Sequence, residues 1–133
     1  EIIDDIPNSD FPVYIGGPVS KNSIHFIHSL GRLIPNSIKI YNGLYFGGDF
    51  DVVKDLLWKG KINKENMRFF AGYSGWEANQ LEDELKENSW ILKEKNLKLS
   101  MQYSNKDYWS EIIRKMDKKY AIWANFPKNP SLN

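Results

Sequence analysis

Twice in this chain a short apolar run meets glycine, then a capping residue, then an amphipathic helical pattern. The two stretches are Leu44 to Trp58 and Met67 to Lys86. A strand whose following helix packs back on the sheet is the building unit of α/β folds, so this recurrence restricts the architectures open to the chain. In the first unit, Leu44-Tyr45-Phe46 runs into Gly47-Gly48-Asp49, and Val52, Val53, Leu56 and Leu57 give the stripe of a helix over about residues 50–58. Asp49 is placed to cap that helix, with Asp51 in its first turn. In the second unit, the strand Met67 to Ala71 meets the turn Gly72-Tyr73-Ser74-Gly75, and a helix runs on to about Lys86. Ser74 with Glu77 reads as a capping box, and Ala78, Leu81 and Leu85 as the buried stripe. If the first helix is a crossover, strands 44–46 and 67–71 pair in parallel. Both glycine turns then open on one sheet edge, where open α/β sheets hold ligands.

The rest of the chain fills in around these units. Val13-Tyr14-Ile15 reads as a strand stopped by Gly16-Gly17-Pro18, and Ser23 to Ser29 as a second strand. Ile38 to Tyr41 and Leu44 to Phe46 flank Asn42-Gly43, the signal of a hairpin with a type I′ turn. Lys59 to Asn66 is a polar loop. Strands are expected at Ser89 to Lys93 and Leu97 to Tyr103. A last helix starts at Ser104 with Asp107 three residues on and carries Trp109, Ile112, Ile113 and Met116 on its apolar side. Tyr120 to Ala124 reads as a short strand, and residues 127–133 as a coil tail. The expected architecture is one α/β domain over residues 1–133: a mixed, strongly twisted sheet with three main helices.

Composition narrows the function. At 133 residues, 41% of them hydrophobic, the chain can bury a real core. Eighteen Lys and Arg against seventeen Asp and Glu leave a net charge of +1, with no global field to draw in nucleic acid or an anionic membrane. The absence of cysteine removes disulfides, thiolate metal sites and cysteine nucleophiles. No apolar run reaches the roughly 20 residues of a spanning helix, so a soluble cytoplasmic protein is expected.

Few candidate sites survive weighing. Gly72-Tyr73-Ser74-Gly75-Trp76 resembles a nucleophile elbow, but Trp76 stands where the pattern needs glycine, and helix capping accounts for Ser74. His25 and His28 are three apart in a strand and point to opposite faces, which rules out one shared metal. The glycine turns could cradle phosphate, yet neither carries Lys or Arg, and Asp49, Asp51 and Glu77 already bring negative charge there. Arg114, Lys115, Lys118 and Lys119, and Lys59, Lys61 and Lys64, form basic clusters that could meet nucleic acid. Solvated helix ends explain them better, and no standard nucleic-acid reader is present. Trp76 is the most informative residue. On a helical wheel it falls opposite the buried stripe, beside Gln80, Asp83 and Glu87, and must be covered or left for a ligand or partner. Tyr73 shares that ambiguity.

Several blocks carry a family resemblance. Tyr14-Ile15-Gly16-Gly17-Pro18-Val19, His25-Phe26-Ile27-His28, Leu44 to Asp49, Gly72 to Trp76, and Gln80-Leu81-Glu82 together resemble the YqgE/AlgH family, in order over roughly residues 10–116. The resemblance implies a bacterial cytoplasmic protein with a mixed α/β fold built on a curved, partly barrel-like sheet. It brings the label of transcriptional regulator and no established enzymatic activity. It also implies several strands ahead of the Gly-Gly-Pro block, a region this chain lacks, so that sheet edges stay open or await a partner. Ser74 stands where the family is expected to carry a small residue such as alanine.

The reading is a non-enzymatic regulatory protein, with no catalytic residue, cofactor or metal assigned. One alternative is a small-ligand or nucleotide-binding module with a cleft at the two glycine turns; another is a protein-interaction domain. The residues expected to bind a ligand or partner are Gly47, Gly48, Asp49, Tyr73, Trp76 and Gln80. The partner is expected to be a protein or small molecule, with nucleic acid in third place and no membrane.

Overall fold

A computed structural model describes residues 11–94, 96–101, 108–116 and 118–121. The chain divides into two compact units, Glu1–Gln102 and Tyr103–Asn133. The first contains a mixed five-stranded sheet: β1 (Val13–Ile15), β2 (Val19–His28), β3 (Ile38–Tyr41), β4 (Leu44–Phe46) and β5 (Met67–Tyr73), in the spatial order β1-β5-β2-β4-β3. It is an open sheet in these strands, with β1 and β3 at its edges.

The parallel pairing expected for strands 44–46 and 67–71 is not formed. β2 lies between them and is antiparallel to both, so β4 and β5 share a direction without sharing a ladder. Phe46 and Arg68 both face Ile27 across β2, so β5 continues from Arg68 to Tyr73 beyond the level where β4 stops. β1 pairs in parallel on the far side of β5, yet leads directly into β2. The Gly16-Gly17-Pro18 connection must therefore cross the end of β5. Gly16 N–H donates to Ala71 O at 2.8 Å. A Cβ on Gly72, which has φ +71°, would come within 2.6 Å of Gly17 O.

The core lies between one sheet face and helix α1 (Phe50–Trp58). Phe26, Met67 and Phe69 from the strands meet Val53 from α1, with Ile34 and Ile62 from the loops. Burying such side chains contributes roughly 1.5–3 kcal/mol each. Three of the four expected stripe residues meet the core: Val53 is fully buried, and Leu56 and Leu57 pack against the cluster, while Val52 is half-buried. Asp49 caps α1 by accepting from Asp51 N–H at 3.0 Å. Gly60, at φ +63°, ends it through Gly60 N–H to Leu57 O and Lys61 N–H to Leu56 O, a Schellman pair.

The hairpin at Asn42-Gly43 forms, but Gly43 takes positive φ and Asn42 does not, so the turn is not type I′. The register shift between Lys39 and Tyr41 absorbs the twist instead. Two expected strands are also absent. Residues 89–94 have no regular structure, and Leu97–Met101 is a short helix, α3. Asn96 decides that outcome: its side chain accepts Leu99 N–H at 2.9 Å, an N-cap that outweighs the alternating pattern. Helix α3 meets the sheet where Tyr41 Oη lies 3.3 Å from Ser100 Oγ and Arg68 donates to Ser100 O at 2.6 Å.

The second helix expected in this unit starts late. α2 spans Gln80–Lys86, so Ser74 and Glu77 form no capping box; its N-cap is Asn79, in a left-handed conformation with no side-chain cap bond. Among the described residues of the second unit, α4 (Tyr108–Arg114) and α5 (Lys118–Ala121) are helical. Ile113 is buried, Ile112 and Met116 are half-buried, and Trp109 is 41% exposed rather than part of the stripe. Residues 120–121 are helical where a strand was expected. Ser104, Asp107, residues 122–124 and the 127–133 tail lie outside the described residues.

Candidate functional site

Trp76 sits ahead of α2, in the irregular stretch between β5 and Asn79, not on the helix face assigned by the wheel. From there it reaches across two turns. Its Nε1–H donates to Glu84 Oε2 at 3.0 Å, and Trp90 Nε1–H donates to the same oxygen at 2.6 Å. Gln80 Nε2 donates to the other oxygen at 2.8 Å, while its Oε1 accepts Glu77 N–H at 2.9 Å. Gln80 thus ties the lead-in to the helix and orients the carboxylate in one step. The indoles meet edge to face, with centroids 5.3 Å apart and planes at 68°. They remain 39% and 44% exposed.

Three N–H donors favour the ionised Glu84 carboxylate and hold its pKa below the usual 4.5, Trp90 contributing most, then Trp76, then Gln80. Ser89 N–H to Glu84 O and Asn88 N–H to Leu85 O close the helix with Asn88 at φ +60°, which places Trp90 over the carboxylate.

Tyr73 belongs to a different cluster. The His25 ring lies 5.4 Å from Tyr73 in edge contact and 6.2 Å from Phe46 in a near-parallel stack. Ser23 Oγ lies 3.0 Å from His25 Nε2. His25 and His28 point to opposite faces, as expected. His28 is fully buried: Nδ1 accepts Leu30 N–H, leaving Nε2–H to donate to Gly47 O at 3.0 Å. Burial lowers its pKa from 6.5, partly offset by the Gly47 bond, so the imidazole is a neutral structural pin.

That pin fixes the first glycine turn. Gly47 N–H donates to Phe26 O and Asp49 N–H to Pro35 O, both at 2.9 Å. A Cβ on Gly48, at φ +120°, would come within 2.6 Å of Ile34 Cγ2. The Gly47, Asp49 and Asp51 amides are thus engaged within the chain. No hydrogen bond or ring contact among the described residues joins Gly47, Gly48 or Asp49 to Trp76 or Gln80. The candidate residues thus fall into three places: Gly47, Gly48 and Asp49 at the His28 pin, Tyr73 beside His25, and Trp76 with Gln80 on Glu84. Among the described residues, no group of three or more His, Asp or Glu is placed to hold a metal ion, and no helix is long and apolar enough to cross a membrane.

Sequence reasoning missed Glu84 and Trp90. The Gln80–Glu84 spacing of four was the available signal for the first. Trp90 had none, because its position depends on how α2 ends.

These features define a small α/β domain with a mixed sheet and, in the segments flanking α2, a half-exposed aromatic pair held on one carboxylate. The chain belongs to the AlgH-like family, which matches residues 1–121. It is 42% identical over 124 residues to a UPF0301 protein of Bacteroides fragilis and 40% identical to one of Bacteroides thetaiotaomicron, in both cases covering 93% of this chain. The chain spans 63% of the length of these two relatives. The solution structure of the AlgH protein from Pseudomonas aeruginosa shares the fold, with a TM-score of 0.64 at 20% identity, over 96% of this chain and 70% of that one. Protein DIP2367 from Corynebacterium diphtheriae is similar, at 0.61 and 22%, over 86% of this chain and 60% of that one.

Proposed function

We propose that this chain is a non-enzymatic regulatory module of the bacterial cytoplasm that acts by docking onto another protein through the Trp76–Trp90 face. The observation that carries this reading is one carboxylate gripping two half-exposed indoles. Aromatic side chains held in place before binding lose little entropy on association, and Trp is enriched among residues that dominate interface energy. Control of transcription would then run through a protein contact, consistent with the near-neutral charge of the chain. Affinity co-purification with wild-type and Trp76→Ala protein tests this; a partner set unchanged by the substitution rejects it. A gel shift with promoter and random DNA tests direct contact, and no shift at low salt is expected.

A second reading, small-molecule binding near the first glycine turn, draws on a shallow pocket of about 210 Å³ lined by Gly31, Asn36, Ser37 and Tyr45, among others. Ser37 Oγ lies 3.1 Å from Gly47 O, which links this pocket to the turn. Ligand screening by amide chemical shift decides it: shifts confined to residues 31–37 and 45–49 support it, and silence there removes it.

A further inference from the structure

We infer that the occupant of the Trp76–Trp90 face is an arginine- and lysine-rich segment of a partner protein, an inference that rests on the docking reading above. Charge selects this class. Between Trp76 and Trp90 the chain carries Glu77, Glu82, Asp83, Glu84 and Glu87 against the single Lys86, although the whole chain has a net charge of +1. Lys86 is engaged with Asp83 at 3.2 Å, and Glu77, Glu82, Asp83 and Glu87 are exposed. Asp83 and Glu87 lie on the Glu84 side of α2 and Glu77 adjoins Trp76, so the aromatic pair has acidic neighbours that repel phosphate and attract cations.

Ring geometry points the same way. Both indole N–H edges face Glu84, so the pair offers a partner its remaining ring surface rather than its hydrogen-bond donors. Arginine fits that surface: its planar guanidinium stacks on an indole while its N–H groups reach neighbouring carboxylates. Glu84 already accepts three donors and serves as the clasp. Glu77 and Glu87, both exposed, are placed to meet incoming cations.

The test uses two labelled peptides, one of Arg alternating with Leu and Ala, the other with Glu in place of every Arg, titrated by fluorescence anisotropy. The Arg peptide should bind saturably at low salt and about tenfold more weakly at physiological ionic strength, since exposed charges are screened there. Trp76→Ala should weaken it by about tenfold or more, the size expected of a central anchor. Glu77→Gln with Glu87→Gln should weaken it while flattening the salt dependence, and the Glu peptide should not bind. Circular dichroism and thermal unfolding confirm that each variant folds. Trp76→Phe, which keeps a ring, supplies a milder second variant with a smaller loss.

Failure to bind the Arg peptide, or binding indifferent to Trp76→Ala, overturns the inference. If co-purification still depends on Trp76 in that case, docking stands and only the basic partner falls; if neither assay responds to Trp76, both fall. Self-association of the chain that Trp76→Ala abolishes, seen by sedimentation velocity, would make a second copy the occupant and overturn the inference too.

Discussion

Helices α1 and α2 each follow a strand, α1 after the Gly47-Gly48 turn and α2 after the irregular stretch 74–79, because β5 runs through Gly72 and Tyr73. Each stops through a left-handed residue, Gly60 for the first and Asn88 for the second, closing the same pair of backbone bonds. Their beginnings and undersides differ. α1 starts immediately on the Asp49 cap and buries Val53 completely. α2 starts six residues after Ser74, has no side-chain cap and buries no residue. One helix is held by apolar contact with the sheet; the other is secured by a carboxylate clasped between two indoles and an amide. An element fixed by burial has its apolar surface committed. An element fixed by a surface clasp keeps aromatic area available, which is why the proposed interaction surface lies at α2.

The sharpest way to break this comparison is at the backbone crossing at the end of β5, the strand that leads toward α2. Gly72→Val places a branched side chain at φ +71° against Gly17 O, and is expected to abolish folding or cost more than about 3 kcal/mol. Gly75→Ala meets only ordinary contacts with the Tyr73 ring and should stay within about 0.5 kcal/mol. Urea unfolding followed by circular dichroism reads both, and equal effects would remove the crossing as the reason for glycine at position 72.

Burial gives the next largest contrast. Val53→Ala should cost about 2 kcal/mol through lost transfer energy and a cavity, whereas Leu85→Ala, half-exposed on α2, should cost about 1 kcal/mol or less. Capping gives a smaller one. Asp49→Ala should lose about 1 kcal/mol, while Ser74→Ala, which caps nothing, should be near neutral in the same urea titrations.

The surroundings of α1 and α2 also differ in their response to acid. The folded pKa of His28 lies below its unfolded 6.5, so its contribution is complete above 6.5 and declines as pH falls from there through the lowered folded value. Unfolding midpoints should drop over that window, and a flat midpoint would contradict a buried neutral His28. The folded pKa of Glu84 is depressed below 4.5, so its clasp is complete above 4.5 and is lost as pH falls through the lower folded value. Tryptophan fluorescence of the wild type should change in that lower window, and Glu84→Gln should remove the change.

Much of the sheet was legible in advance. β1, β3, β4 and the start of β5 stand where alternation and glycine punctuation place them, and α1 follows its cap and three of its four stripe residues. The expectations that failed share a cause. Residues 74–79 hold helix-compatible signals, yet Asn79 adopts φ +65° and Trp76 reaches Glu84, eight positions away, a contact that no local pattern encodes. Leu97–Met101 alternates like a strand over too few residues to separate period two from a spacing of four, and the Asn96 cap settles it. Of the candidate site, Trp76 and Gln80 were visible as unusual residues; Glu84 and Trp90 were not.

Local chemistry alone determined where glycine interrupts the strands, that Asp49 caps α1, that His25 and His28 face opposite ways, and which family the chain resembles. These follow from steric limits on φ, from hydrogen bonds within a turn, and from the two-residue period of a strand. Tertiary structure decided that β2 separates β4 from β5, that the Gly16-Gly17 backbone crosses the end of β5, and that Trp76 and Trp90 share one carboxylate. Those outcomes join groups that are distant along the chain. Their energies exist only once strand order and helix ends have brought the partners within contact distance.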